Sequence, residues 1–321
     1  MASRTLAAAP AAPRRDSRLG ILCLVAGVAV FSVQDLILKL LSGDYPLHQA
    51  MVVRSLTALP ILLVLVARDG GLRTLVTPGW PRMLGRGLVM FAAYTSYYLA
   101  LAALPMATTV ALYFSAPLFI TVLSVLVLGE HVGPRRWAAV VAGFAGVVLM
   151  LRPGGSLFDW AALLPVVSGA AYAASMIAAR RMGQAETAAA LACWGNIVFL
   201  ALALVMTALF GTGRFAGAET HASLGFLLRG WVWPAPFDLG LMMATGIVAA
   251  LGLWLLTQAY RVAEANVVAP FEYTGLVWSV LYGWVFWRDW PDPVGWTGIA
   301  IIVGAGLYVL YREGVARSRA A

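Results

Sequence analysis

Four ionisable residues sit deep inside otherwise apolar stretches of this sequence: Asp35, Lys39, Arg54 and Glu272. A charge at the centre of a membrane helix costs roughly 2.5–3.5 kcal/mol on insertion scales, so such groups face one another, a water-filled cavity or a ligand. Their chemistry is that of binding and proton transfer: a carboxylate receives an amine or a proton, and a guanidinium grips an acid. Asp35 and Lys39 stand one helical turn apart with Ser32 on the same face, and Arg54 falls at similar depth in the next helix. Two readings stay open for them. In one, Asp35 pins Arg54 in a static ion pair while Lys39 reaches to the interface; in the other, they touch substrate. Glu272 lies in VVAPFEYTGLVWSV, which contains no basic residue, and shares a face with Gly275, Ser279 and Gly283. That face is either a close helix contact or a cavity wall, and a carboxylate favours the wall. Glu272 and Asp35 are therefore the candidates for proton coupling.

Aromatic, hydroxyl and amide side chains recur at comparable depth: Tyr94 with Tyr98, Tyr113 and Ser115 ahead of Pro117, Asn196, and Trp254 with Gln258. With Ser279 they are the expected lining of a central, aromatic-walled pocket. Pro117 and Pro270 each free a backbone carbonyl inside a span, giving either a broken helix or an ordinary kink. His48, His131 and His221 are scattered among connectors, and Cys23 and Cys193 fall inside apolar spans, so neither a metal site nor a disulfide framework is expected. No Walker loop, dinucleotide glycine pattern, GxSxG elbow or HExxH occurs, and no cofactor is expected. An intramembrane enzyme acting on a lipid or small amphiphile is the alternative class, and it has no nucleophile motif to support it.

These residues need helices to position them. Of 321 residues 62% are hydrophobic and 11% charged, which excludes an ordinary soluble domain. Ten apolar stretches, 19–41, 48–67, 84–104, 107–128, 136–151, 159–179, 188–210, 238–260, 265–287 and 294–311, approach the length needed to cross a bilayer. The reading is an all-α integral membrane protein of ten transmembrane helices. Sixteen arginines fall on the side of the chain termini, and only Arg152, Arg214, Arg229 and Arg288 fall opposite. Both termini are thus expected to be cytoplasmic and the connector 211–237 external. Residues 1–18 read as a disordered cytoplasmic arm and 313–321 as a cytoplasmic tail. The net charge of +8 is distributed as topology signals with no basic-aromatic patch, so no nucleic acid partner is expected. Lys39 is the single lysine among 22 basic residues, a bias that goes with a bacterial source.

The stretch Ala103–Pro153 has a second version in the chain. A shift of 159 positions lays Glu130 on Asp289, Pro134 on Pro293, Trp137 on Trp296 and Tyr113 on Glu272, with no gap. The chain therefore reads as a duplication, 19–153 followed by 154–312. Five spans per half is odd, so the halves enter the membrane from opposite sides, the inverted repeat of secondary transporters. The run LPMATTVALYFSAPLFITVLSVLVLGE and its partner ANVVAPFEYTGLVWSVLYGWVFWRDWP resemble the EamA family of the drug/metabolite transporter superfamily, over about residues 19–312. The resemblance implies a carrier of the bacterial cytoplasmic (inner) membrane that hydrolyses no ATP. It implies alternating access through a central cavity, with the last span of each half packed outside. Similar proteins move amino acids, S-adenosylmethionine, riboflavin or drugs; SVQDLILK and APFEY look closer to the uptake-type members. Arg288-Asp289 departs from the usual acidic Gly-Glu ending. The expected partners are a small-molecule substrate, protons, the lipid bilayer and a second copy of the chain as a homodimer.

Overall fold

The computed structural model describes residues 17–153, 158–182, 187–217, 221–263 and 265–320, and these are helical with no strand among them. The helices are α1 (Ser17–Leu41), α2 (Leu47–Arg68), α3 (Trp80–Ala103), α4 (Met106–Tyr113), α5 (Ala116–Leu128), α6 (Pro134–Leu151), α7 (Leu163–Met182), α8 (Ala188–Phe210), α9 (Ala222–Leu228), α10 (Pro236–Val262), α11 (Ala265–Val268), α12 (Thr274–Tyr282) and α13 (Pro293–Ala320). Among the described residues eight rods are long and apolar enough to cross a membrane: α1, α2, α4 with α5, α6, α7, α8, α10 and α13. The two other expected spans are of a different kind. In α3, Arg82, Arg86 and the run Tyr94-Thr95-Ser96-Tyr97-Tyr98 dilute the apolar character. The stretch 265–287 is broken into α11, a 3-10 turn over Ala269–Tyr273, α12 and a π-helical turn over Gly283–Trp287.

Proline explains both interruptions. Pro117 has no N–H to give the carbonyl of Tyr113, and the expected span 107–128 breaks there into α4 and α5. At the break Ser115 donates its hydroxyl to the carbonyl of Leu112 at 2.7 Å. Pro270 sits in the 3-10 turn, where Thr274 donates its hydroxyl to the carbonyl of Phe271 at 2.7 Å, the same geometry 159 residues later. The likeness continues to the next helix. Gly129 and Arg288 are left-handed caps at φ 68° and 59°, and the following amides of Glu130 and Asp289 reach back to the carbonyls of Ser124 and Gly283. Pro134 and Pro293 then open α6 and α13.

α1 runs along α10, α3 along α7, and α2 along α8, with α4 and α12 meeting among them. α6 and α13 pack on each other through small residues: Gly143 lies under Leu118 and Ala305, and Gly146 under Ile301 and Ile302. The outward faces carry exposed large apolar side chains such as Leu22, Val64, Leu126 and Val277, a surface suited to lipid.

At one end of the bundle the connector 211–237 is ordered in its described residues. Within it Ser223 of α9 donates to the carbonyl of Leu99 at 2.7 Å, and Arg229 donates to the carbonyls of Ser42 and Tyr45. Gln49 both donates to and accepts from the backbone of Val232. The segment expected as a C-terminal tail instead prolongs α13 to Ala320. Residues 1–16 of the expected N-terminal arm lie outside the described residues, as do 154–157, where the halves were expected to join.

Candidate functional site

A chamber of about 210 Å³ opens where α1, α3, α4, α7, α12 and the 3-10 turn converge. Its wall combines Asp35, Gln34 and Phe31 of α1, Tyr94 and Tyr97 of α3, and Tyr113 beside Phe114. Ser168 and Tyr172 of α7, with Glu272 and Gly275, complete it. The aromatic rings are braced edge to face: Tyr97 on Tyr113 with centroids 5.3 Å apart, and Tyr94 on Phe199 at 5.4 Å. Tyr113 also meets Tyr172 at 5.8 Å. Gly169 permits α7 to approach this wall, since a Cβ there would stand 3.1 Å from the Tyr113 carbonyl and 3.2 Å from the Ser115 hydroxyl.

Hydrogen bonds fix the polar groups of α1. The Tyr97 hydroxyl donates to Asp35 at 2.8 Å. Gln34, one residue earlier, donates its amide to the Tyr98 hydroxyl at 2.8 Å and accepts from Arg54 Nε at 3.3 Å. The expected ion pair of Asp35 with Arg54 is absent among the described residues. Gln34 takes the Arg54 contact, and Arg54 lies 5.8 Å from the centroid of the Phe199 ring. Lys39 is not among the residues lining the chamber. Its ammonium donates to the carbonyls of Leu101 and Leu104 at 2.9 and 2.6 Å, neutralising the end of α3, and sits 5.1 Å over Trp287.

Asp35, Tyr94, Tyr113 and Glu272 thus meet around one chamber, while Arg54 and Asn196 line a second one beside it, of about 300 Å³. The remaining expected wall residues lie elsewhere. Tyr98 is buried behind the wall as the partner of Gln34. Ser115 and Ser279 are buried and bond the carbonyls three residues earlier, at Leu112 and Leu276, which is the ordinary use of a helical hydroxyl. Trp254 is 47% exposed and shares an outward stripe with Ile247 and Leu251 at helical spacing. Gln258, one turn further, borders neither chamber. The spacing along α10 does not by itself give the direction in which Trp254 faces. Gln34, Tyr97, Tyr172, Phe31, Ser168 and Arg86 were missed. Phe31 and Tyr97 are turn-neighbours of Asp35 and Tyr94, so helical spacing could have found them.

The EamA-like transporter family model matches residues 18–152. A riboflavin transporter of Rhizobium johnstonii is 32% identical over 232 residues, 72% of this chain and 70% of that one. An S-adenosylmethionine uptake transporter of Rickettsia prowazekii is 27% identical over 71% of each chain. The pseudopaline exporter CntI of Pseudomonas aeruginosa is 27% identical over 89% of this chain and 94% of its own. A solved crystal structure shares the fold with a TM-score of 0.60 at 21% identity, across 93% of this chain and 99% of that one. With its apolar rods, its interrupted helices and the chamber between them, this chain belongs to the EamA-like transporter family, whose members here named carry small metabolites.

Proposed function

We propose that the chain moves its metabolite by alternating access through the chamber of Asp35, Glu272 and the tyrosines, without ATP hydrolysis. The carrying observation is the position of that chamber: it lies against both interrupted stretches, with Tyr113 on one and Glu272 on the other. Ten crossings arranged as two inverted halves suit this mechanism, α3 and the stretch 265–287 joining the eight apolar rods. Three features support the inverted repeat. The capping geometry recurs at 159 residues, the α1–α10 and α3–α7 pairings exchange under the same duplication, and the small-residue contacts of Gly143 with Ala305 and Gly146 with Ile302 exchange as well. Two like halves can trade conformations and open the chamber to either face.

The distribution of arginines supports cytoplasmic termini in a bacterial inner membrane, with the connector 211–237 outside. A substrate carrying a planar ring suits the aromatic wall, and riboflavin and S-adenosylmethionine, the cargoes named for relatives, both have one. Asp35 and Glu272 are the residues through which protons would couple. Purified protein in sealed liposomes, tested with radiolabelled riboflavin, S-adenosylmethionine and amino acids, should move one of them down its gradient unmodified and without ATP. Chemical conversion of the compound without accumulation inside the vesicles would favour an enzyme.

A further inference from the structure

The two chambers carry opposite charge. The first is lined by the carboxylates of Asp35 and Glu272 and by no arginine or lysine, whereas the second is lined by Arg54 and Arg86 and by no acid, among the described residues. Phe31 and Tyr94 belong to both linings and form an aromatic neck between them. In the second chamber the guanidinium groups are poorly satisfied by protein. Arg86 Nε is buried without a hydrogen-bond partner among the described residues. Among the described residues Arg54 makes one bond, the 3.3 Å contact from Nε to Gln34, near the outer limit of a useful hydrogen bond. The other polar group there, the Asn196 amide, is engaged with the carbonyl of Ser55 at 3.0 Å. Two cations facing one cavity inside a membrane bundle, with no carboxylate on its wall, need a counter-charge from elsewhere.

We propose that the counter-charge comes with the substrate: the chambers form one bipartite site for an amphoteric aromatic metabolite. Its amine or other cationic group lies against Asp35 and Glu272, its ring lies in the neck of Phe31 and Tyr94, and its carboxylate lies between Arg54 and Arg86. This assignment rests on the carrier reading above. A planar guanidinium pair suits a carboxylate because each can donate two parallel bonds to it. The aromatic neck explains why one molecule suits the site better than two separate ions, since an apolar constriction stacks a ring and offers nothing to a hydrated ion. A purely anionic metabolite would set its charge against two carboxylates, and a purely cationic one would leave both arginines uncompensated.

The test uses the full chain in lipid nanodiscs and two scaffolds that differ only in charge. On indole the probes are tryptophan, tryptamine and indole-3-propionate; on adenosine they are S-adenosylmethionine and its decarboxylated form. Equilibrium binding should favour the amphoteric member by at least roughly tenfold on one scaffold, the worth of one charge-assisted hydrogen bond. Arg54→Gln and Arg86→Gln should bring that acid-to-amine ratio towards unity, while Arg86→Lys, which keeps the charge and serves where the glutamine variant fails to fold, should retain part of it. Asp35→Asn should instead erase the preference for tryptophan over indole-3-propionate. The inference is overturned if no probe binds, if the wild-type ratio is near unity, or if the arginine variants leave the ratio unchanged. Flux in liposomes separates this failure from that of the carrier reading. Movement without charge discrimination sinks the bipartite site alone, and the expected ratios without movement sink the carrier alone.

Discussion

The stretches 112–137 and 271–296 use the same hydroxyl-to-carbonyl bond, the same left-handed cap, and the same proline-opened helix, and yet place Tyr113 in one and Glu272 in the other. Scaffold chemistry is kept where it satisfies the backbone inside a membrane, an obligation that any sequence there must meet. The side chain that faces the chamber is free of that obligation and differs between the two stretches. The difference therefore marks where function departs from folding, and it locates the variants that should separate the two.

The largest expected effect is at Glu272. Glu272→Gln keeps the shape and removes the charge, and uptake of an amine-bearing substrate should fall by at least roughly tenfold, as an affinity loss seen at every pH. Tyr113→Phe, at the matched position, keeps the ring and should change uptake only a few-fold. Transport assays across a range of pH, with expression and thermal stability measured in parallel, check both. A Glu272→Gln protein with unchanged affinity but a flattened pH profile would assign the carboxyl to proton carriage, and one with no change at all would make it structural.

The sequence exposes these matched positions because helix ends leave local marks. Pro134 and Pro293, Glu130 and Asp289, and Trp137 and Trp296 stand at one spacing. Interruptions at Pro117 and Pro270 were legible for the same reason, though not whether each would break the helix or only kink it. What was hidden depends on direction around a helix axis or on distant partners. Trp254 reads as a wall residue until Ile247 and Leu251 place its stripe outward, and Arg54 reads as the mate of Asp35 until its bond is found to go to Gln34. The ordering of connector 211–237 rests on bonds such as Gln49 with Val232 and Arg229 with Ser42, which no local pattern announces. α9 is only a seven-residue helix whose buried Phe226 gives too short a period to read.

A smaller effect is expected at the caps. Gly129 and Arg288 share the left-handed conformation, at φ 68° and 59°, but only glycine adopts it without a Cβ penalty. Gly129→Ala should cost about 1 kcal/mol. Arg288→Gly should gain somewhat less than that, because Arg288 also lies over the Trp284 ring, a contact of about 0.5–1 kcal/mol at an exposed site. Thermal unfolding in detergent measures the two shifts, and shifts of the same sign would show that the caps are not equivalent.

The smallest effect tests a clamp that the matched positions do not share. Arg152, at the end of α6, donates through Nη2 to both carboxylate oxygens of Asp292, and Oδ1 also accepts from the N–H of Gly295 at 2.7 Å in the first turn of α13. A shift of 159 positions carries Asp292 back to Gly133 and Arg152 on to Tyr311, so this pair has no counterpart at the matched positions. The bond from Arg152 holds the Asp292 carboxyl below the usual carboxylate range. A carboxyl depressed in the folded state contributes stability above its unfolded value, about 3.9, and loses it as pH falls through the lower folded value. The side chains are 26% and 49% exposed, so water and salt screen the pair to less than about 1 kcal/mol. Asp292→Asn retains an oxygen for the Gly295 cap and deletes the charge. It should lower the melting temperature slightly at pH 7 and low salt, with the gap to the native protein closing below about pH 4 and in high salt. A gap that persists undiminished at pH 3 would mean that the helix cap, and not the ion pair, joins these two ends.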